Sequence, residues 1–203
     1  MKKMNIPLGR ILNIPIELDL SWFLIFALMT WTLATGYYPN EFKNQPVLTY
    51  WIIGAVTSIL LFASVLLHEL GHSVVALRHN VPVRRITLFI FGGIAEIGKE
   101  PPDAKAEFWI AIAGPIVSLF LAGIFYLLKL ATASVIPLLA IASYMAYLNL
   151  TLVLFNLIPG FPLDGGRVFR AILWGTTHSF RKATNIAANV GRGFAFLFII
   201  AGV

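Results

Sequence analysis

Leu66-Leu67-His68-Glu69-Leu70-Gly71-His72 closes a run of twenty residues, Leu48 to Leu67, that holds no charge. As a helix such a run rises about 30 Å, the thickness of a bilayer's hydrocarbon core, so it reads as a membrane span. The motif continues that span, and this decides the fold class. Ionisable side chains are carried to membrane depth, where they are costly unless they serve a function. Extended to Leu77, the helix is long enough that it must tilt or protrude. His72 precedes Arg78 by six residues, roughly 9 Å inside the helix end, so water must reach below the headgroups.

Residues four apart share a helix face, so His68 and His72 can hold one zinc ion together while Glu69 stands beside it as a base. With four His and six Glu in 203 residues, His-Glu-x-x-His arises by chance in about 0.2 % of chains of this composition. Two helix histidines satisfied by their neighbours are the bland alternative, and depth in the membrane weighs against it. A hydrolytic zinc keeps three protein ligands and one open position, so a third ligand must come from elsewhere. The chain has no cysteine, which excludes thiolates and disulfides and leaves nitrogen and oxygen. Apart from surface charges, the acids expected to face the membrane interior are Glu69 and Asp164. Asp164 is the expected third ligand, with capping of the following helix as its alternative role. His79 is too close along the helix to fold back, Glu96 falls in a strand region, and His178 lies in a basic stretch.

Composition agrees with a membrane class: 59 % of residues are hydrophobic, and mean hydropathy is +0.84. The net charge of +6 does not mark a nucleic-acid binder, because the basic residues are scattered between apolar runs. Met1-Lys2-Lys3 resembles the start of a signal peptide, but the apolar segment begins only near Leu20, after Glu17 and Asp19, so an uncleaved first span is expected.

From Leu12 to Leu20 every even position is apolar, which predicts a one-sided strand at the membrane surface, with Pro15 favouring an edge. Ser21 to Tyr38 is a first span ending in interfacial aromatics, and Leu48 to Leu77 the second. Val83 to Phe91 is β-branched and aromatic, Gly92-Gly93 breaks it, and Ile94 to Lys99 alternates again: a strand, a glycine turn and a second strand, with a short helix as the alternative. Pro101-Pro102-Asp103 can cap the third span, Ala104 to Leu130. That span carries Ala106, Ile110, Gly114, Ser118 and Ala122 at intervals of four, a stripe suited to close helix packing, and Gly114-Pro115 marks a candidate kink. Ser134 to Leu157 is a fourth span with Asn149 and Asn156 on nearly one face. It ends in the Pro- and Gly-rich stretch from Pro159 to Gly166, an irregular loop tolerated at such depth only where it lines a cavity or packs on protein. A short helix is expected over Arg167 to Trp174. The stretch from Ala183 is apolar only after Gly193, too short for a comfortable span, so the chain is expected to be truncated at its C-terminus.

The fold class expected is therefore an all-α polytopic membrane protein, a bundle of about five to six transmembrane helices with a small membrane-surface β-sheet, in one domain over residues 1–203. Lys2, Lys3 and Arg10, then Arg78, Arg84, Arg85, Lys99 and Lys105, then Arg167, Arg170, Arg181 and Lys182 fall on one side, against Lys43 and Lys129 on the other. Twelve against two puts the N-terminus, the strands and the site toward the cytoplasmic face.

In such a site Glu69 takes the proton of a water whose pKa zinc brings toward 7 and later delivers it to the leaving amine. The attacked carbonyl needs donors as it becomes an oxyanion; Asn156 is a candidate, for that or for holding substrate backbone, with helix packing as its alternative. A substrate helix hides its carbonyls, so it must be received extended, and the strand pair at 84–97 offers an edge for strand addition.

His68-Glu69-Leu70-Gly71-His72, followed by Asn156-Leu157-Ile158-Pro159 and Leu163-Asp164-Gly165-Gly166, resembles the site-2 protease family of intramembrane zinc metalloproteases over roughly residues 10 to 175. The resemblance implies His68, His72 and Asp164 as ligands of Zn2+ and Glu69 as the catalytic carboxylate. It also implies regulated cleavage, within the lipid bilayer, of single-span proteins such as membrane-bound transcription factors or anti-sigma factors. No polar insertion long enough for a PDZ domain lies between the spans, so control of that kind is not expected; some relatives continue into a CBS pair. Two other readings compete: a metal-ion or proton carrier using the same His, Glu and Asp groups, and a silent scaffold that binds membrane helices. No internal repeat favours the carrier, and the intact Glu69 argues against the scaffold.

Overall fold

The computed structural model describes residues 5–202; Lys2 and Lys3 of the topology argument lie outside them. The chain opens with β1 (Asn5–Ile11) and β2 (Ile14–Asp19), then α1 (Ser21–Thr32), a π-helical turn (Leu33–Tyr37) and α2 (Tyr38–Glu41). The long α3 (Val47–Arg78) leads to β3 (Val83–Phe89) and β4 (Gly92–Ile97), and then come α4 (Ala104–Ala131), α5 (Ile136–Asn156), α6 (Asp164–Thr177) and α7 (Phe180–Ala201). By length and composition α3, α4, α5 and α7 can each cross a membrane. Ser21–Glu41 is helical throughout and adds a fifth apolar stretch. The last span corrects the sequence expectation. The helix starts at Phe180, where Ser179 accepts from the Lys182 amide, so the polar residues before Gly193 belong to a 22-residue helix.

The four strands form one sheet in the order β1-β2-β3-β4, antiparallel, parallel, antiparallel. β2 is the one-sided strand expected, with Ile14, Ile16 and Leu18 buried. Leu12 and Asn13 are its turn, at φ 52° and 64°, rather than strand. β1 carried no usable pattern because neither of its faces is buried. Pro15 does not sit on an edge strand; it is tolerated because the pairing of β2 with β3 begins only past it, at Ile16 with Ile86. The glycines expected to turn the second hairpin instead open β4, and the turn falls on Ile90 and Phe91. Ile14, Ile16 and Ile86 pack on Leu66 and Leu70 of α3, which lays the sheet across the end of α3 that carries the motif.

α4 packs on α3, α5 and α6, and so forms the centre of the bundle. Asp103 caps it by accepting from the Ala106 amide at 2.7 Å. Every member of the four-residue stripe on α4, Ala106 to Ala122, is buried. Polar ties cross between helices at Thr30 to Ser58, Tyr38 to Thr57 and Asn149 to Ser64. In a bilayer, where lipid is as apolar as leucine, such bonds and close packing hold helices together. Large apolar side chains such as Leu119, Phe120, Leu127 and Leu154 face outward, as a lipid-facing surface requires.

Candidate metal centre

His68 and His72 project from α3 toward α4 and are almost fully buried, 3 % and 4 % exposed. Each ring is held from behind by α4. The His72 Nδ1 donates to the Ile110 carbonyl at 2.6 Å, and the His68 Nδ1 lies 2.9 Å from the Ser118 Oγ. A carbonyl can only accept, so His72 carries its proton on Nδ1 and turns the lone pair of Nε2 inward. The stripe read as packing is therefore also the support of the site. Ile110 and Ser118 contribute hydrogen-bond partners that sequence reasoning missed, and the single serine on a small-residue stripe was the available signal.

Asp164 arrives from the far end of the chain. It is the first residue of α6, where a carboxylate favours the helix dipole, and Leu163 rather than Asp164 is the N-cap. The sequence expectation started this helix at Arg167; it starts a turn earlier because Gly165 and Gly166 let the preceding loop fold back onto it. A Cβ at position 165 would strike the Leu157 and Ile158 carbonyl oxygens, and one at 166 would lie 2.6 Å from the Gly160 carbonyl carbon. α6 is also tied to α4. The Arg170 Nε donates to the fully buried Glu107 at 2.8 Å, and the guanidinium lies over the rings of Phe161 and Phe180.

The result is a triangle. Asp164 Oδ2 is 3.1 Å from each Nε2, and the two Nε2 atoms are 3.2 Å apart. Tetrahedral zinc with bonds of about 2.0–2.1 Å spaces its ligands by about 3.3 Å, so this spacing fits it closely. Gly114 of α4 supplies the room: a Cβ there would lie 2.6 Å from His68 Nε2 and closer still to His72 Nε2. Three inward-facing acceptors and a cradle without a side chain fit a cation with N/O preference. Among the described residues this is the cluster of three such ligands.

A cavity of about 490 Å³ opens onto the triangle, lined by His68, Glu69, His72, Asn156, Asp164, Arg167 and residues Ile90 to Ala95. Glu69 lies at its wall, half-buried, against Gly93 and facing the Ala95 amide. Asn156 reaches the cavity with part of its amide engaged, donating to the Leu152 carbonyl at 3.0 Å, while Asn149 does not line it and ties α5 to α3. Glu96 pairs with Arg85 on the sheet, and His79 and His178 cap helix ends, all apart from the site. β4 is the strand beside the site, and among the described residues its outer edge has no partner; β3 is paired on both sides.

Residues 56–136 and 129–200 match the sequence profile of peptidase family M50. Over 201 residues the chain is 45 % identical to sll0528 of Synechocystis, provisionally named a zinc metalloprotease, covering 98 % of this chain and 52 % of the relative. It is 40 % identical over 203 residues to the zinc metalloprotease MJ0392 of Methanocaldococcus jannaschii, covering 98 % and 54 %. The chain thus spans about half the length of these relatives. Among solved structures, the site-2 protease from M. jannaschii superposes with a TM-score of 0.64 at 36 % identity, over 98 % of this chain and 84 % of that one.

Proposed function

Because the chain belongs to peptidase family M50, the site-2 protease family, we propose that it is a zinc-dependent endopeptidase domain that cuts the transmembrane segment of single-span membrane proteins within the bilayer. The observation that carries this reading is the three-donor triangle beside a carboxylate that is not part of it. His68, His72 and Asp164 hold the metal, and zinc on these donors supplies an acidified water and a polarised carbonyl. Glu69 follows His68 directly in the chain and lines the same cavity. It accepts the proton of the attacking water and returns it to the leaving nitrogen, a role typically worth 10²–10⁴-fold. The Ile110 carbonyl keeps His72 in the tautomer whose Nε2 faces inward, and the Ser118 hydroxyl steadies the His68 ring from behind.

A substrate must unwind before its carbonyls can be reached. The β4 edge, without a partner among the described residues, borders the cavity, and an extended segment added there would run past Glu69. Of the strand pair expected to offer an edge, β4 is the one that fits, since β3 is paired on both sides. The excess of Lys and Arg beside the sheet and α6 supports a site toward the cytoplasmic face.

The test is a cleavage assay in detergent with a tagged single-span substrate. Wild type cleaves and 1,10-phenanthroline stops it, while Glu69→Gln binds zinc without cleaving. If Glu69→Gln cleaved at the wild-type rate, the reading would fail; zinc uptake into vesicles that ignored the same substitution would favour a carrier.

A further inference from the structure

Two arginines follow Asp164 on α6, and their surroundings differ. Arg170 is committed to Glu107 and to the rings of Phe161 and Phe180. Arg167 follows Asp164 by three residues, so the two leave one helix face, and it lines the cavity with Glu69 and Asn156. It is the only Lys or Arg among the lining residues. It makes no hydrogen bond or ion pair with any described residue, and the charges around it are those of Asp164, Glu107, Arg170 and Glu69. None of its nitrogens is both fully buried and unpartnered. A guanidinium brings five donors in a rigid fork, and one on a cavity wall with no partner among the described residues is free to meet a ligand there.

We infer that Arg167 is a catalytic residue of the reaction proposed above, donating to the carbonyl oxygen of the bond being cut as negative charge gathers there. The inference rests on the peptidase reading. Its place supports it: Arg167 is the one Lys or Arg on the wall of the cavity that also holds the triangle and Glu69, where a donor to the developing oxyanion is needed. Asn156 competes poorly as the donor, since part of its amide is engaged by its own helix.

The experiment compares wild type, Arg167→Lys and Arg167→Ala, each as the whole chain in detergent. It measures zinc per chain, KM and kcat on a tagged single-span substrate, and inhibition by a phosphinic peptide whose tetrahedral anion copies the charged carbonyl. Arg167→Ala should keep its zinc and a KM within about twofold, and lose about 100-fold or more in kcat, the scale seen when one oxyanion donor is removed. The phosphinic peptide should weaken by a similar factor, with Arg167→Lys between the two. A kcat within about threefold of wild type overturns the assignment, as does a loss explained by missing zinc or by KM alone. A wild type that cuts nothing, or a Glu69→Gln variant that cuts as fast, removes the peptidase reading itself and this assignment with it.

Discussion

Replacing Gly114 by alanine should empty the metal site while leaving the fold in place. The new Cβ would lie 2.6 Å from His68 Nε2 and from His72 Cε1, and closer still to His72 Nε2. Ordinary carbon–nitrogen contact is about 3.4 Å, so at least about 0.8 Å must be found by moving α4 or turning the imidazoles. Turning them breaks their bonds to Ser118 and Ile110, and metal sites tolerate only about 0.2 Å of error in ligand position. Overpacking of this kind costs about 1–3 kcal/mol, partly offset by the roughly 0.5–1 kcal/mol that alanine gains over glycine in a helix. Zinc affinity, read by competition with a chromogenic chelator, should fall about 100-fold or more, equivalent to about 2.7 kcal/mol, and cleavage should fall with it. Gly123→Ala is the control: it lies on the same helix with nothing within 4 Å of its Cβ, and should leave zinc binding and melting temperature unchanged or slightly improved. A Gly114→Ala protein that bound zinc as tightly as wild type would refute the idea that this glycine makes room for the metal.

Glu107→Gln leaves Arg170 without its counter-charge in a site where its side chain is only 15 % exposed. The loss should be about 3 kcal/mol, a fall of roughly 6–12 °C in melting temperature for a chain of this size, and an unchanged melt in detergent would show that the pair holds little of α6 to α4. Ala95→Pro removes the β4 amide that faces Glu69. Zinc content should stay the same while cleavage of the single-span substrate drops about tenfold or more; equal cleavage would count against strand addition at β4. Thr87→Pro, on the doubly paired β3, should instead lower the melting temperature, because it breaks the sheet itself.

Periodicity and charge were enough to mark the spans, the surface strands and the histidine pair. Each is a local property: a helix shows its face every three to four residues, a half-buried strand every two, and a lipid-crossing run shows its length. The misses have equally local reasons. β1 is exposed on both faces and so lacks alternation, and α7 hides its length behind Arg181, Lys182, Asn185 and Asn189. Asp164 was legible as a candidate only because so few acids lay in apolar surroundings.

What the chain order alone determined is that His68 and His72 must share a face, since four residues of helix set that spacing wherever the helix sits; a metal held between them would need a third donor from elsewhere. The tertiary structure decided the rest. Only the packing of α4 on α3 brings Ile110, Gly114 and Ser118 behind the imidazoles. Only the collapse of the Gly160–Gly166 loop sets Asp164 at 3.1 Å from both rings, and only sheet order gives β4 rather than β3 an edge without a partner among the described residues. These are contacts between residues up to 96 positions apart. They depend on how closely two surfaces can approach, which no repeat along the sequence records.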